Sequence, residues 1–329
     1  MIGFMSFGRL AGTIKESFVY SEITMISELN KTAETSEKQI KTNKNICSPM
    51  NYIGGKYKLL PQILPLFPKD INTFVDLFCG GCNIGINVSA EKIIFNDNLT
   101  YLIDLYRLFY TLPKEDILTH IYGRISEFSL SLTNDVGYKQ LRAHYNEHRN
   151  ALDLFVLVAY SFNHQIRFNN SHEFNNPFGK ERSSYNKRME ENLVSFIQRL
   201  QENDINFSSK NFDEFDFSEL DNNDFVYCDP PYLITTGSYN DGKRGFTGWG
   251  KSEEIILLSI LDNLSRKGIR FALSNVLVHK GVSNDILNDW ANDNNYNIHH
   301  LFKDYSNSSY QLKNRDKSIT DEVLITNYA

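Results

Sequence analysis

Two short apolar runs that each carry an acid at or near the end, "TFVDLF" over residues 73–78 and "KIIFND" over 92–97, constrain this chain more than any other feature. Each has the length and content of a strand buried on both faces. The stretch between them carries Gly80, Gly81 and Gly85 and reads as a turn followed by a helical segment. Strand, helical crossover and strand make a βαβ start, which calls for a parallel sheet.

Further strand signals come late: "DFVYC" (224–228), "IRFALSN" (269–275) and "EVLITNY" (322–328), with the helix-like "SEEIILLSILDNLSRKG" between the first two. "NLTYLIDLYRLFYTL" has helical spacing after a candidate cap at Asn98, and "YKLLPQILPLFP" reads as a helix interrupted by prolines. From about 101 to 195 the pattern is helical and loop-rich. The expected architecture is one α/β sheet with a Rossmann-like order, 46–100 and 196–329, interrupted by a helical insertion, 101–195. Residues 1–45 read as a polar, mobile extension.

With 329 residues, 41% of them hydrophobic, the chain can bury a sizeable core. It shows no apolar run long enough to span a bilayer and no secretory leader, so a cytoplasmic protein without a membrane partner is expected. Four cysteines are too few for a disulfide framework, and "CGGC" (79–82) lacks a second pair for zinc. No metal is expected. His164, His299 and His300 make no ligand spacing. The formal charge of −6 argues mildly against nucleic acid but leaves room for a local basic face.

In an open α/β sheet, ligands bind beyond the carboxyl ends of the strands. Three segments fall on that edge: Asp76 to Gly85, Asp97, and Asp229 to Tyr232. "DLFCGGCNIG" lets backbone approach a ligand closely, yet it is not G-x-G-x-x-G, and no Lys-Ser/Thr follows to cradle phosphate. Asp97 stands where such folds hydrogen-bond ribose hydroxyls. A nucleoside cofactor with no required pyrophosphate fits.

The run "DFVYCDPPYLI" closes on Asp229, Pro230, Pro231 and Tyr232. Two prolines fix successive φ angles and remove two donors, which leaves carbonyls free to face a ligand. A carboxylate, a bare carbonyl and a flat ring suit an exocyclic amino group on a purine, with two acceptors for its hydrogens and a surface for its base. The bland reading is a rigid polar turn after a buried strand.

Taken together and in order, these segments resemble the Dam-like DNA adenine-N6 methyltransferases over roughly residues 48–329. "NYIGGK" is similar to the family's N-terminal cofactor motif, through Tyr52, Gly55 and Lys56. "FVDLFCGG" matches its glycine motif, through Asp76, Phe78, Gly80 and Gly81. Asp97 falls at the ribose-binding acid, and "DPPY" is the catalytic motif. "RFNNSHEFNNPFGK", "SN" at Ser274–Asn275 and "EVLITNY" also match. Upstream of the catalytic motif the family has Asp-Phe where this chain has "KNFDEF": Asn211 and Phe212 keep the spacing and Asp213 the charge.

The resemblance implies methyl transfer from S-adenosylmethionine to adenine N6 in double-stranded DNA, with the cofactor held by Tyr52, Gly55, Lys56, Asp76, Phe78, Gly80, Gly81, Asp97, Asn211, Phe212 and Asp229. The N6 hydrogens would bond to the Asp229 carboxylate and the Pro230 carbonyl, and Tyr232 would stack on a flipped base. The insertion is the expected DNA reader, through Arg142, Arg167, Asn169, Asn175, Lys180, Arg182, Lys187 and Arg188. For any one of these taken singly, a solvated charged face is the bland alternative. A Gly-rich segment after the motif, with Lys243, Arg244 and Trp249, is read either as a closing loop or as an ordinary one. A companion restriction endonuclease is an open partner, an orphan methylase the other case, and a monomer or weak dimer is expected. The alternatives are methylation of cytosine N4 or RNA, and a non-catalytic DNA-binding protein on the same fold.

Overall fold

The computed structural model describes residues 45–52, 54–235, 249–302 and 320–329. The N-terminal extension expected over 1–45 lies outside these apart from Asn45, as do Lys243 and Arg244. Residues 46–329 form one compact unit. Among the described residues no helix is long and apolar enough to cross a membrane.

Among the described residues, eight strands make one sheet in the order β3-β2-β1-β4-β5-β8-β7, with β6 on β5. Their ranges are β1 Thr73–Asp76, β2 Lys92–Asn96, β3 Asp204–Ser208, β4 Phe225–Cys228, β5 Arg270–His279, β6 Val282–Ser283, β7 Asn297–Leu301 and β8 Thr320–Thr326. The first five in space are parallel, Val75 pairing with Ile94 on one side and Val226 on the other. β8 and β7 close the sheet antiparallel. From β1 the chain builds outward through β2 to β3, then returns to β1's other side as β4. That reversal opens a crevice beyond the ends of β1 and β4.

Alternate residues of these short strands serve opposite faces, as the period of two requires. Phe74, Phe95 and Tyr227 join one apolar cluster. Val75, Val226 and Phe271 join the other, covered by α7 (Lys251–Arg266) and α8 (Asp285–Asp293). Full burial of side chains of this size contributes roughly 1.5–3 kcal/mol each.

Before β1, the prolines of "LLPQILPLF" cut the segment into α1 (Leu60–Ile63) between 3-10 turns at Tyr57–Leu59 and Leu64–Leu66. Between β2 and β3 the chain runs through α2 (Thr100–Thr111), α3 (Lys114–Glu127), α4 (Asp135–His148), α5 (Ala151–Tyr160) and α6 (Lys187–Gln201). α5 is buried along nearly its whole length and packs on α2, α3 and α4. Asn134, Asn150 and Asn186 start α4, α5 and α6 by accepting backbone N–H bonds from two or three residues further on.

Two local expectations are corrected. The β1–β2 crossover holds only a three-residue 3-10 turn, Gly85–Asn87, because tight backbone bonds around the glycine turn leave no length for a helix. Asn98 does not cap α2: Leu99 is the cap residue without a side-chain bond, and the Asp97 carboxylate takes the Leu99 N–H at 2.9 Å.

Candidate active site

Beyond the ends of β1, β2 and β4 lies a cavity of about 550 Å3. Every residue assigned above to cofactor or catalysis lines it: Tyr52, Gly55, Lys56, Asp76, Phe78, Gly80, Gly81, Asp97, Asn211, Phe212, Asp229, Pro230, Pro231 and Tyr232. They come from five separate stretches of sequence, and the strand ends bring them to one place.

The glycine turn is held from all sides. Gly80 has φ +45°, and a Cβ there would stand 2.8 Å from Tyr52 Cδ1, so the Tyr52 ring sits against a backbone that favours glycine. The Gly80 N–H donates to Asp97 at 2.9 Å, and its carbonyl accepts from the buried Tyr106 hydroxyl at 2.8 Å. Gly85 fills a second constraint: a Cβ there would meet Phe95 at 2.4 Å and the Asp76 carboxylate at 3.0 Å. Burial pushes the Cys79 and Cys82 thiols up, which keeps them protonated and chemically quiet.

Three carboxyl groups converge on the cavity. Asp76, whose Oδ2 accepts from the Gly85 N–H at 3.2 Å, is pushed up to about 8 by burial, with Asp229 and Asp97 adding to the rise. Asp97 uses one oxygen for Gly80 and the other for Leu99. Asp229 has Lys56 Nζ 2.8 Å from each of its oxygens and accepts from the Tyr232 hydroxyl at 3.0 Å. Burial raises the Asp229 carboxyl, Lys56 draws it back down, and Glu322 pushes it up again.

Two rings of the lining, Phe78 and Phe212, pack with Trp249. Phe78, Phe212 and Trp249 have ring centroids 5.3–5.7 Å apart. The Trp249 Nε1–H donates to Glu254 at 2.7 Å, and Glu254 also accepts from Asn275 and Asn284, so the indole is fixed from behind. Asn211 lines the cavity with its amide nitrogen bonded to Asp213, which is exposed and away from the lining. Asn96, unnoticed in the sequence, clamps the rim: its amide donates to the Leu77 and Lys210 carbonyls and accepts from the Lys210 N–H.

The DNA-reading candidates lie elsewhere. Arg167, Lys180, Arg182, Lys187 and Arg188 are exposed, while Arg142, Asn169 and Asn175 are half-buried. Arg142 and Lys180 share a second concavity with Lys139, which the sequence reading passed over. Arg182 lies over the Phe162 ring at 5.3 Å. Asn169 uses its side chain on its own turn, accepting from Ser171 and Glu173 and donating to the Glu173 carboxylate. Gln165 alone of the insertion reaches the main cavity.

The sequence of the D12 class N6 adenine-specific DNA methyltransferases matches this chain over residues 52–307. The modification methylase StsI of Streptococcus sanguinis is 55% identical over 87% of this chain and 44% of its own length. The type II methyltransferase M.FokI of Planomicrobium okeanokoites is 50% identical over 94% of this chain and 47% of its own length. The chain therefore spans about half the length of these curated relatives. DNA adenine methylase of Salmonella typhi is 28% identical over 69% of this chain and 79% of its own length. The cavity at the strand ends and the match across most of the chain lead to one assignment: the protein belongs to the D12 class of N6 adenine-specific DNA methyltransferases.

Proposed function

We propose that this chain transfers a methyl group from S-adenosylmethionine to the N6 amino group of adenine at a specific site in duplex DNA, as the modification partner of a restriction endonuclease. The observation that carries the reading is that Asp229 and the Pro230 end of β4 face the same cavity as the Gly80 turn and Asp97. The names of two relatives, a modification methylase and a type II methyltransferase, favour the restriction–modification setting.

The residues fit the cofactor's chemistry. Asp97 and Asp229, with Asp76 able to ionise once a cation is bound, make a cavity that favours a cation. Asp97, its two oxygens oriented by the Gly80 and Leu99 N–H groups, stands at the end of β2 where a ribose would lie. Phe78 and Phe212 offer flat walls to an adenine ring, and Asp213, by taking the Asn211 amide nitrogen, turns the Asn211 oxygen into the available acceptor for an amino group. S-adenosylmethionine supplies an electrophilic methyl carbon.

The chain's own residues do the rest. The adenine amino lone pair is delocalised into its ring and attacks poorly until the nitrogen becomes tetrahedral. Asp229 and the Pro230 carbonyl, as paired acceptors, favour that geometry and the positive charge that develops with it. Tyr232, tied through its hydroxyl to Asp229, presents its ring to the flipped base. Asp229, made more basic by burial, is placed to take the proton that leaves the methylated nitrogen. Extrusion of the base costs a few kcal/mol. The basic positions of the insertion, Arg142, Lys180 and their exposed neighbours, offset that cost through phosphate and groove contacts.

The test is to incubate the protein with S-adenosylmethionine and unmethylated duplex DNA, digest to nucleosides and identify the product by mass spectrometry. N6-methyladenine is expected. N4-methylcytosine, or no methylated nucleoside, would overturn the reading.

A further inference from the structure

Among the described residues of the insertion, Gln165 is the one that lines the main cavity. Its backbone is fully occupied. The N–H donates to the Phe162 carbonyl at 3.4 Å, and the carbonyl accepts from the Asn176 amide at 2.9 Å and the Ser161 hydroxyl at 3.3 Å. Asn176 is 2% exposed and also donates to the Phe162 carbonyl at 3.0 Å, while its own carbonyl takes the buried Tyr138 hydroxyl. Asn163 and His164, just before Gln165, hold left-handed backbone at φ +56° and +53°. Asn51 donates to the Asn163 carbonyl at 3.0 Å. Backbone in this sparsely populated region persists only where its surroundings over-determine it. What is left for a ligand is the half-buried Gln165 side-chain amide, which bonds no described residue.

We propose that the Gln165 side chain reads the flipped adenine, donating a hydrogen bond to a ring nitrogen beside the reacting amino group. The inference rests on the N6-methylation reading and adds to it a residue that selects the base. With Asp229 and the Pro230 carbonyl taking the N6 hydrogens, adenine still offers two ring acceptors beside that group, N1 on one side and N7 on the other. Cytosine offers an acceptor on one side of its amino group and a C–H on the other. A bond to either adenine nitrogen stops the ring from turning in its plane and holds N6 between its two acceptors. A neutral amide suits the place. A lysine or arginine would repel both the sulfonium and the charge developing on N6, and a carboxylate has no hydrogen to give a ring nitrogen.

Placement favours the base over the cofactor. Every lining residue assigned to the cofactor lies outside the insertion. Gln165 belongs to a loop whose Phe162 is 41% exposed beneath Arg182, and Arg167 is exposed two residues on. A base leaving a duplex held by those cations meets this loop on its way to Asp229.

The experiment uses a duplex oligonucleotide carrying the site, located by sequencing the methylated product, with adenine, 1-deazaadenine or 7-deazaadenine at the target position. Native protein, Gln165→Leu and Gln165→Glu are compared by single-turnover rate at saturating S-adenosylmethionine, by duplex affinity and by cofactor affinity. One of the two analogues is expected to slow the native protein by at least about tenfold, the effect of leaving one buried donor unpaired. Gln165→Leu should slow the reaction on adenine by a similar factor and be indifferent to that analogue, with duplex and cofactor affinities within about threefold of native. Gln165→Glu, of the same length but without amide hydrogens, should behave like Gln165→Leu, and it carries the test if the Leu variant fails to fold. A variant rate within twofold of native on adenine, an analogue penalty that persists in the variants, or a loss confined to duplex or cofactor affinity would overturn the inference while leaving the N6-methylation reading intact. A native protein that makes no N6-methyladenine overturns both.

Discussion

Lys56 and Asp229, 173 positions apart in the chain, meet as an ion pair with the ammonium 2.8 Å from both carboxylate oxygens. The contact joins the loop before the first helical turn to the end of β4, so it fastens the cofactor side of the cavity to the side assigned to the target base. Replacing the lysine leaves the buried Asp229 carboxylate without that ammonium. Lys56→Met is expected to lower unfolding stability by about 3–5 kcal/mol, the range for breaking one side of a buried pair. Urea denaturation at pH 7 measures it, and a loss below 1 kcal/mol would show that solvent already screens the cluster.

Asp76 gives the protein a pH dependence of definite sign. Its folded-state value of about 8 lies above the ordinary carboxyl value of 3.8, because burial disfavours the anion. Between those two values the folded chain keeps a proton that the unfolded chain releases. The group's contribution to stability is therefore complete at low pH and is lost as pH rises toward 8, at up to about 1.4 kcal/mol per pH unit. In cofactor-free protein, Asp76→Asn should flatten the fall in unfolding free energy between pH 5 and 8. An unchanged slope would contradict the assignment.

The same carboxyl predicts proton release on cofactor binding. A cationic ligand favours ionised Asp76, so affinity for S-adenosylmethionine should rise with pH up to about 8, and Asp76→Asn should remove the trend. Calorimetry in two buffers of different ionisation enthalpy reads the released proton directly.

Gly80 carries a steric prediction. At φ +45° and 2.8 Å from the Tyr52 ring, an alanine meets both an unfavourable backbone region and a clash. Gly80→Ala is expected to cost about 1–3 kcal/mol of stability and to weaken cofactor binding at least tenfold. Adding Tyr52→Ala should recover the part of the stability lost to the clash, but not the backbone cost or the affinity.

Asn211 and Asp213 can be separated by their placement. Asn211 lines the cavity, whereas Asp213 is exposed and reaches it only through the Asn211 amide. Asn211→Ala should weaken cofactor binding by about 1 kcal/mol, the worth of one hydrogen bond, and Asp213→Ala by less. Equal losses would mean that the Asp213 charge, not the Asn211 oxygen, meets the ligand.

Strands β1, β2, β4, β5 and β8 are legible in the sequence because the sheet buries them on both faces, which leaves short continuous apolar runs. β3, "DINFS", and β7, "NIHHL", escape because they are the edge strands and are half exposed, so polar residues interrupt the pattern. The cavity lining was legible for a different reason: glycine, proline and acid stand at strand ends where only a ligand or a tight turn needs them. What stayed hidden depends on partners far apart in sequence. Asp153 lies fully buried in the apolar α5, where it binds His120 and Arg124 of α3, and nothing in "ALDLFVLVAY" names those partners. Glu322 is the same case: it lies in a recognisable strand, but its approach to Lys56 follows from how β8 sits beside β5.

The most direct test of the account is single-turnover methylation by Asp229→Asn, set beside its affinity for S-adenosylmethionine. The account predicts binding within a few-fold of native and a loss of N6-methyladenine formation of at least about 100-fold, since one acceptor aimed at the developing charge is gone. Full methylation by this variant would contradict it, because Asp229 would then have no part in activating the amino group.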